Sequence, residues 1–370
     1  MLKIGPFILV LAVCMSIIGC QENEVAPAPM ADLRIYVNAV GRTDARALTD
    51  AEEEYYKDAL ASCEEMHRLR FVVVRPDGTV EHNRLLNLYN PAERYGYESF
   101  EVVGGETKTV YLFVNESTDP VYPHGPFKEV KADNTTTYTK FDLNDIKVGQ
   151  RFPTEDINAL VIKLADGDAE WPSLSPLPMN GIGEVDVPKT GFVQKTMYVT
   201  RAAVKFTYRF TNNSSQDYTL QGLTIDKVTD KEYYMPNDAV LEDGTKDDLT
   251  KVTPDNPITD LMIHPEAEYA TYSKEYSFSI PSGCTKKVLP SIYQLEGKYN
   301  AAVTNETQRY KTSITLDGGV GTLEAFLKGL PNLVRNTHAV VDITINESNI
   351  TWEVDVIPYS SVELRPSFGL

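Results

Sequence analysis

Cysteine is scarce in this sequence, with only four residues in 370. Cys14 and Cys20 lie near the start, which leaves Cys63 and Cys284 for the rest of the chain. No Cys-x-x-Cys pair or other zinc-ligand spacing is present, so neither a zinc site nor a disulfide-stapled scaffold is indicated. An exported protein could join Cys63 to Cys284, but they lie far apart in the sequence and we expect two unpaired thiols.

Positively charged residues are outnumbered by negatively charged ones. Lysine and arginine number 35 against 53 aspartates and glutamates, which gives a formal net charge of −18. A surface of this kind repels nucleic acid and anionic lipid headgroups, and no basic tract offsets it. Nucleic acid is therefore not an expected partner.

Catalytic signatures are missing as well. The five histidines are scattered without metal spacing, and there is no Gly-x-Ser-x-Gly turn and no phosphate-binding loop. Residues 166–170 cluster carboxylates but do not match a calcium loop, so a solvated turn is the better interpretation. Nothing singles out one pair of carboxylates for glycoside hydrolysis. We therefore predict no enzymatic activity, no cofactor and no metal.

A long apolar run occurs only at the start of the chain. Lys3 precedes the apolar residues 4–18, and Gly19-Cys20 follows them. A short basic region, an apolar region too short to span a bilayer comfortably and a small residue before cysteine are typical of a bacterial lipoprotein signal. We expect cleavage before Cys20 and a lipid on its sulfur. An ordinary secretory signal that ends in cysteine is the alternative. The acidic, polar segment Gln21-Glu22-Asn23-Glu24 that follows resembles the surface-export signal of Bacteroidetes lipoproteins, which implies a surface-exposed position on the outer membrane, and a plain solvated linker is the alternative.

The rest of the chain is rich in segments in which apolar and polar residues alternate. Residues 33–39 and 204–210 place apolar side chains on one face of an extended strand, as do 341–345. Residues 69–74 and 110–114 are apolar on both faces, which is typical of central strands. Many short strands without regular βα alternation predict an all-β fold of sandwich domains with a few short helices.

Length and composition favour two domains. The predicted helical segments are residues 49–67, 152–164 and 323–330. The predicted division is a signal peptide at 1–19, a lipidated segment with the first strand at 20–46, an N-terminal sandwich at 47–198 and a C-terminal sandwich with a strand-like tail at 199–370.

Four short segments carry a resemblance to a known family. They are Gly104-Gly105-Glu106-Thr107-Lys108, Leu177-Pro178-Met179-Asn180-Gly181, Arg201-Ala202-Ala203-Val204-Lys205-Phe206 and Arg335-Asn336-Thr337-His338. In this order, behind a lipoprotein signal, the set resembles the fimbrillin superfamily, the lipoprotein-derived pilins of Bacteroidales (type V pili). Ala339 departs from the family pattern, in which an aromatic residue is common.

The resemblance implies two transthyretin-like Greek-key β-sandwiches in tandem and a structural role as a fimbrial subunit in the shaft or at the tip. Its partners would be other fimbrial subunits, the outer membrane before processing, and a host or bacterial surface receptor. In the family, an Arg-specific protease removes an N-terminal segment that includes the first strand. A C-terminal strand from a neighbouring subunit then fills the groove.

The removable strand in this chain would be residues 33–39, and the cut would follow Arg46 or Arg42. We expect this strand at the edge of the first domain, where its loss would expose a row of backbone groups that captures another strand. A strand paired on both sides would contradict the expectation of a removable edge strand that a neighbouring molecule replaces. Residues 350–357 could act as donor together with the tail. The alternative for both arginines is that they are ordinary surface residues, and for the tail that it pairs within its own domain. The exchanging side chains would be Leu33, Ile35, Val37 and Ala39, and Val362, Leu364 and Phe368 of the donor tail.

A rival hypothesis belongs to a different class of function. The same signal, acidic charge and sandwiches would suit a cell-surface glycan-binding lipoprotein of an outer-membrane uptake system. That hypothesis predicts an exposed aromatic platform and no processing after Arg46.

Overall fold

The computed structural model describes most of the chain, and the statements below concern those residues alone. They are residues 28–39, 62–88, 95–116, 125–133, 135–164, 170–172, 175–236, 249–253, 256, 258, 269–296, 310–326 and 334–358. Helix is rare among them, limited to α1 (Thr154–Asn158) and three 3-10 turns at Ser62–Glu64, Leu143–Asp145 and Leu249–Lys251. No described helix is long and apolar enough to cross a bilayer.

Strands make up most of the described chain. The first ten are β1 (Met30–Ala39), β2 (Arg68–Val74), β3 (Val80–Asn87), β4 (Tyr95–Val103), β5 (Thr107–Val114), β6 (Phe127–Ala132), β7 (Thr135–Lys140), β8 (Val161–Lys163), β9 (Met179–Asp186) and β10 (Phe192–Arg201). The next ten are β11 (Val204–Asn212), β12 (Tyr218–Thr229), β13 (Lys231–Tyr233), β14 (Tyr269–Ile280), β15 (Lys287–Val288), β16 (Ile292–Gln294), β17 (Lys311–Leu316), β18 (Gly321–Phe326), β19 (Thr337–Ile345) and β20 (Ile350–Pro358).

The first domain is one seven-stranded sheet in the order β3-β2-β5-β9-β10-β1-β4. Its two outer strands approach each other, because His82 Nε2 of β3 donates to the carbonyl oxygen of Glu101 in β4 at 2.8 Å. The Glu81 carboxylate also accepts the backbone N–H of Val103. The sheet therefore curls around its own core, and side chains of β3 satisfy backbone groups on the open side of β4. That core takes apolar residues from β1, β2, β4, β5, β9 and β10.

The second domain is a sandwich of two separate sheets. One has the order β15-β11-β19-β20, with β16 also on β11, and the other has the order β14-β12-β17-β18. Fully buried Phe206, Tyr208 and Phe210 of β11 pack with Val341 of β19 and Ile314 of β17 between the sheets. The predicted all-β class with few helices is confirmed.

The two domains share a hydrophobic core. Phe113 and Trp171 from the first domain pack in one buried cluster with Tyr234, Tyr293 and Leu295 from the second. A small sheet of order β13-β8-β6-β7 also joins them, because β13 follows the second domain's first strands while β8 belongs to the first domain's sequence. The change of sheet falls between Arg201, where β10 ends, and Val204, where β11 begins. The division of the domains between residues 198 and 199 stays a prediction.

Two predicted helices are replaced by other structure. Leu323 belongs to β18, which pairs with β17, and only α1 of the segment 152–164 is helical, because Val161–Lys163 forms β8. Of the segment 49–67, the described part has one 3-10 turn. Between that turn and β2, the backbone N–H of His67 donates to the Asn115 side chain at 2.8 Å.

Candidate functional site around the first strand

Strand β1 lies between two neighbours. It pairs antiparallel with β4 from Met30↔Val103 to Asn38↔Tyr95, and parallel with β10 from Asp32↔Phe192 onward. The expectation of an edge strand is therefore wrong. The physical reason is that β1 can satisfy both rows of its backbone groups, whereas an edge strand leaves one row to water.

The inward face of β1 is part of the first core. Leu33, Ile35 and Val37 have no solvent exposure, Ala31 is buried and Ala39 is partly buried against the same cluster. Each large side chain buried this way contributes about 1.5–3 kcal/mol relative to exposure. The body of the first domain therefore depends on β1 for a large part of its apolar contact.

The two ladders define the space that β1 fills. Neighbouring strands of a sheet lie about 4.7–4.9 Å apart, so β4 and β10 are separated by two such spacings, or about 10 Å. Without β1, their facing rows of N–H and C=O groups would both lack partners. We call this space the slot. The slot has room for one strand, which would form a ladder of backbone hydrogen bonds with β4 on one side and with β10 on the other.

The outward face of β1 carries aromatic and charged contacts. The ring of Tyr36 lies 4.7 Å from that of Tyr97 on β4, tilted by 42°. The guanidinium carbon of Arg34 lies 4.5 Å from the ring centre of Phe192 on β10. Tyr97 is 42% exposed and Phe192 is 60% exposed, and they are the exposed aromatic side chains among the described residues. Because each ring already contacts a side chain of β1, the pair is a poor match to the flat, free aromatic platform of the glycan-binding hypothesis.

Three of the four segments that carry the family resemblance meet at the junction between the domains. Asn336 donates its backbone N–H to the carbonyl of Ala203 at 2.8 Å, and its side chain accepts from Arg201. The Asn180 side chain donates to the carbonyl of Tyr234. These sequence signals therefore coincide with residues that join the domains.

Arg335 is the centre of this junction. Its guanidinium is fully buried and lies 3.0 Å from Glu296 and 3.4 Å from Glu232, and both carboxylates are also fully buried. It donates to the carbonyl of Tyr233 at 2.6 Å and reaches Asn180 at 3.4 Å. One cation thus faces two carboxyl groups in a dry environment.

Two titratable groups of the junction have displaced pKa values. Burial raises the pKa of Glu232 to about 8, and the nearby Glu296 charge adds to this while Arg335 opposes it. Burial also holds the pKa of His338 well below its ordinary value, and the charges of Lys205 and Arg209 act in the same direction. Glu232 therefore keeps its proton to a higher pH in the folded protein than an exposed glutamate does.

The pKa of Glu232 predicts how stability changes with pH. Because its folded pKa is above its unfolded pKa, the folded state holds an extra proton between these values, and stability falls as pH rises through that window. His338 has the opposite effect, but only below about pH 6.5, where the unfolded residue titrates. Between pH 7 and 8 we expect Glu232 to lower the free energy of unfolding by on the order of 1 kcal/mol. Urea unfolding of wild type and Glu232→Gln at several pH values in this interval measures the change. If the free energy of unfolding varies with pH equally in both proteins, the prediction is contradicted.

Several predicted site residues lie outside the described residues. They are Cys20, Arg42, Arg46, Val362, Leu364 and Phe368. Residues 350–357, which were expected to act with the tail as donor, form part of β20, and β20 pairs with β19 along its whole length. Within the described chain Cys63 and Cys284 are free thiols, and no group of three or more histidine, cysteine, aspartate or glutamate side chains could hold a metal ion.

Sequence reasoning missed the junction cluster and the contacts of Tyr97 and Phe192. Arg335 was marked by the resemblance, but nothing in its spacing pointed to Glu232 or Glu296. Tyr97 and Phe192 lie in ordinary alternating strands, where an outward aromatic residue carries no signal of its own.

Comparisons with known proteins bear on the fold. No family model matches the chain, and no curated protein matches it in sequence. The structure is similar to a crystal structure of a candidate cell adhesion protein from Parabacteroides distasonis, with a TM-score of 0.54 and 11% identity, over 90% of this chain and 99% of that one. It is also similar to the tip fimbrial protein Mfa3 from Porphyromonas gingivalis, with a TM-score of 0.51 and 11% identity, over 89% of this chain and 100% of that C-terminally truncated one. The chain therefore has the fold of these fimbrial and adhesion proteins.

Proposed function

We propose that this protein is a fimbrial subunit of the cell surface, in the shaft or at the tip, which supports adhesion and assembles with other subunits by exchange of β1. The fold it shares with a tip fimbrial protein and a candidate adhesion protein supports the fimbrial role. The observation that carries the exchange is the position of β1 in the slot between β4 and β10.

The slot replaces the single exposed edge that the sequence suggested. An edge offers one ladder to an incoming strand, whereas the slot offers two ladders and a buried apolar trough lined by the neighbours of Leu33, Ile35 and Val37. A replacement strand would gain the contacts that β1 makes now. The slot therefore suits strand replacement better than an edge would.

Proteolysis supplies a means of release. While β1 is tethered, its effective concentration at the slot is high, on the order of millimolar or more. A cut after Arg42 or Arg46 removes the tether, so that β1 can dissociate and a strand of a neighbouring subunit can compete. The lipid that we propose on Cys20 would leave with β1, and the subunit would pass from the outer membrane to the fimbrium.

The experiment uses the purified full chain and an Arg-specific protease. We expect cleavage before β2 and, once a subunit that supplies a matching strand is present, ladders of joined processed subunits that resist SDS without heating. The matched control is Arg42→Lys with Arg46→Lys, which keeps both charges but removes the cleavage sites and should give no ladder. Fully processed chain that stays monomeric, alone and mixed with candidate partner subunits, would contradict strand exchange.

The glycan-binding hypothesis is tested on the same samples. Uncut chain is titrated with polysaccharides, and binding at millimolar or tighter affinity without any ladder would favour the rival function. Ladder formation without such binding supports the fimbrial proposal.

A further inference from the structure

Both strands that border the slot, β4 and β10, carry an aromatic side chain. These side chains remain when β1 leaves, as part of the rest of the subunit, which we call the body. Tyr97 belongs to β4 and Phe192 to β10, and both contact the outward face of β1. The strand that fills the slot is thus held on two faces. Its inward face meets the core, and its outward face meets these two rings.

The backbone pattern places the Tyr36 and Tyr97 side chains directly against each other. The N–H of Asp32 donates to the carbonyl of Gly191 next to β10, at 2.8 Å. Along a strand, alternate residues direct their backbone groups to the same neighbour, so Tyr36 also points its backbone to β10. Its pairing with Tyr97 is therefore of the non-hydrogen-bonded type, in which side chains of the two strands lie closest.

The inward face alone discriminates weakly between strands. Leu33, Ile35 and Val37 form a simple apolar alternation, and this chain repeats that pattern at Val341, Ile343 and Ile345. Many strands of many proteins satisfy it. The outward contacts are rarer, because they need a cation and an aromatic residue two positions apart, as in Arg34 and Tyr36.

We infer that Tyr97 and Phe192 select the strand that occupies the slot; this inference rests on the proposed strand exchange. The occupant is an extended segment of another subunit with apolar residues inward, and with lysine or arginine followed two positions later by an aromatic residue outward. An aromatic pair and a cation over a ring together favour such a segment by about tenfold over one that lacks both.

The chain's own tail meets only part of this requirement. If Val362, Leu364 and Phe368 point inward, then Glu363, Arg365 and Ser367 are the outward residues. These outward residues include one cation, Arg365, but no aromatic residue, whether the tail lies parallel or antiparallel to the direction of β1. Pro366 would also take an inward position, where it has no N–H for the ladder. The inference therefore favours a different subunit over a second copy as the partner.

The test uses full chain cut between β1 and β2, either by the Arg-specific protease or through a site-specific protease sequence in place of residues 43–48. After release of β1 in mild denaturant, labelled peptides are titrated onto the body. The first peptide has the sequence of residues 28–41. The second, called the outward variant, has the same sequence with Arg34→Ser and Tyr36→Ser, and the third is the tail, residues 360–370. The fourth, called the inward control, has the sequence of residues 28–41 with Leu33→Ser and Ile35→Ser.

We expect the first peptide to bind about tenfold more tightly than the outward variant and the tail, and the inward control not to bind. On a body with Tyr97→Ser and Phe192→Ser, both exposed positions, the preference over the outward variant should fall below about twofold. Equal binding of the first two peptides to the wild-type body, with the inward control still excluded, would overturn the selection while exchange stands. If no peptide binds, strand exchange itself is contradicted and the selection with it.

Discussion

Replacing Arg335 with alanine is expected to lower the free energy of unfolding by about 3–5 kcal/mol, because it removes one partner from a fully buried ionic group. The guanidinium faces Glu232 and Glu296 at 3.4 and 3.0 Å, and all three side chains have no exposure. Its loss also leaves the carbonyl of Tyr233 without the donor that now lies at 2.6 Å. Urea unfolding at constant pH, with midpoint and slope both fitted, measures the change.

A matched control shows whether the effect comes from the buried position of Arg335 or from removing a positive charge anywhere in the protein. Lys311 pairs with Glu324 at 2.6 Å on the surface of the second domain, with both side chains about one-third to more than one-half exposed. Lys311→Ala should leave the free energy of unfolding close to that of wild type, because solvent screens an exposed ion pair. Arg335→Met with Glu232→Gln and Glu296→Gln should recover part of the lost stability, since no buried charge then remains. A loss below about 1 kcal/mol for Arg335→Ala would contradict the role of the cluster.

The alternation of apolar residues was sufficient to predict many of the strands, because a strand that faces a core has a local signature. It did not predict which strands become neighbours. β1 pairs with β10, whose first partner residue, Phe192, is remote in the sequence from Asp32. Such pairing depends on complementary surfaces formed only in the folded domain, so the position of β1 inside the sheet could not be seen in residues 33–39.

The polar positions of β11 show a second limit of sequence patterns. Lys205, Thr207 and Arg209 alternate with apolar residues, which predicts a face in water. All three are buried instead. Lys205 pairs with Glu64 of the first domain at 2.7 Å, and Arg209 pairs with Asp342 on β19. Alternation distinguishes polar from apolar faces, but a polar face with matched partners can be buried.

The junction cluster and the slot have different consequences for the molecule. The shared core and the buried Lys205–Glu64 ion pair join the domains firmly, whereas β1 is joined to its domain by a strand's own contacts. A subunit in a fimbrium needs both properties under the proposed function. Its body must transmit force between neighbours, and one of its strands must be replaceable.

Replacing Ile35 with alanine tests how much of the first domain depends on β1. Ile35 has no exposure and lies in the middle of the inward face, so its truncation should cost about 2–5 kcal/mol through lost burial and the cavity left behind. Asn38→Ala, on the outward face of the same strand, should stay within about 0.5 kcal/mol of wild type. Urea unfolding gives both values, and amide exchange should show faster opening of β4 and β10 in Ile35→Ala. Equal effects of the two substitutions would mean that β1 lies on the sheet without completing its core, and the slot would then lose its physical basis.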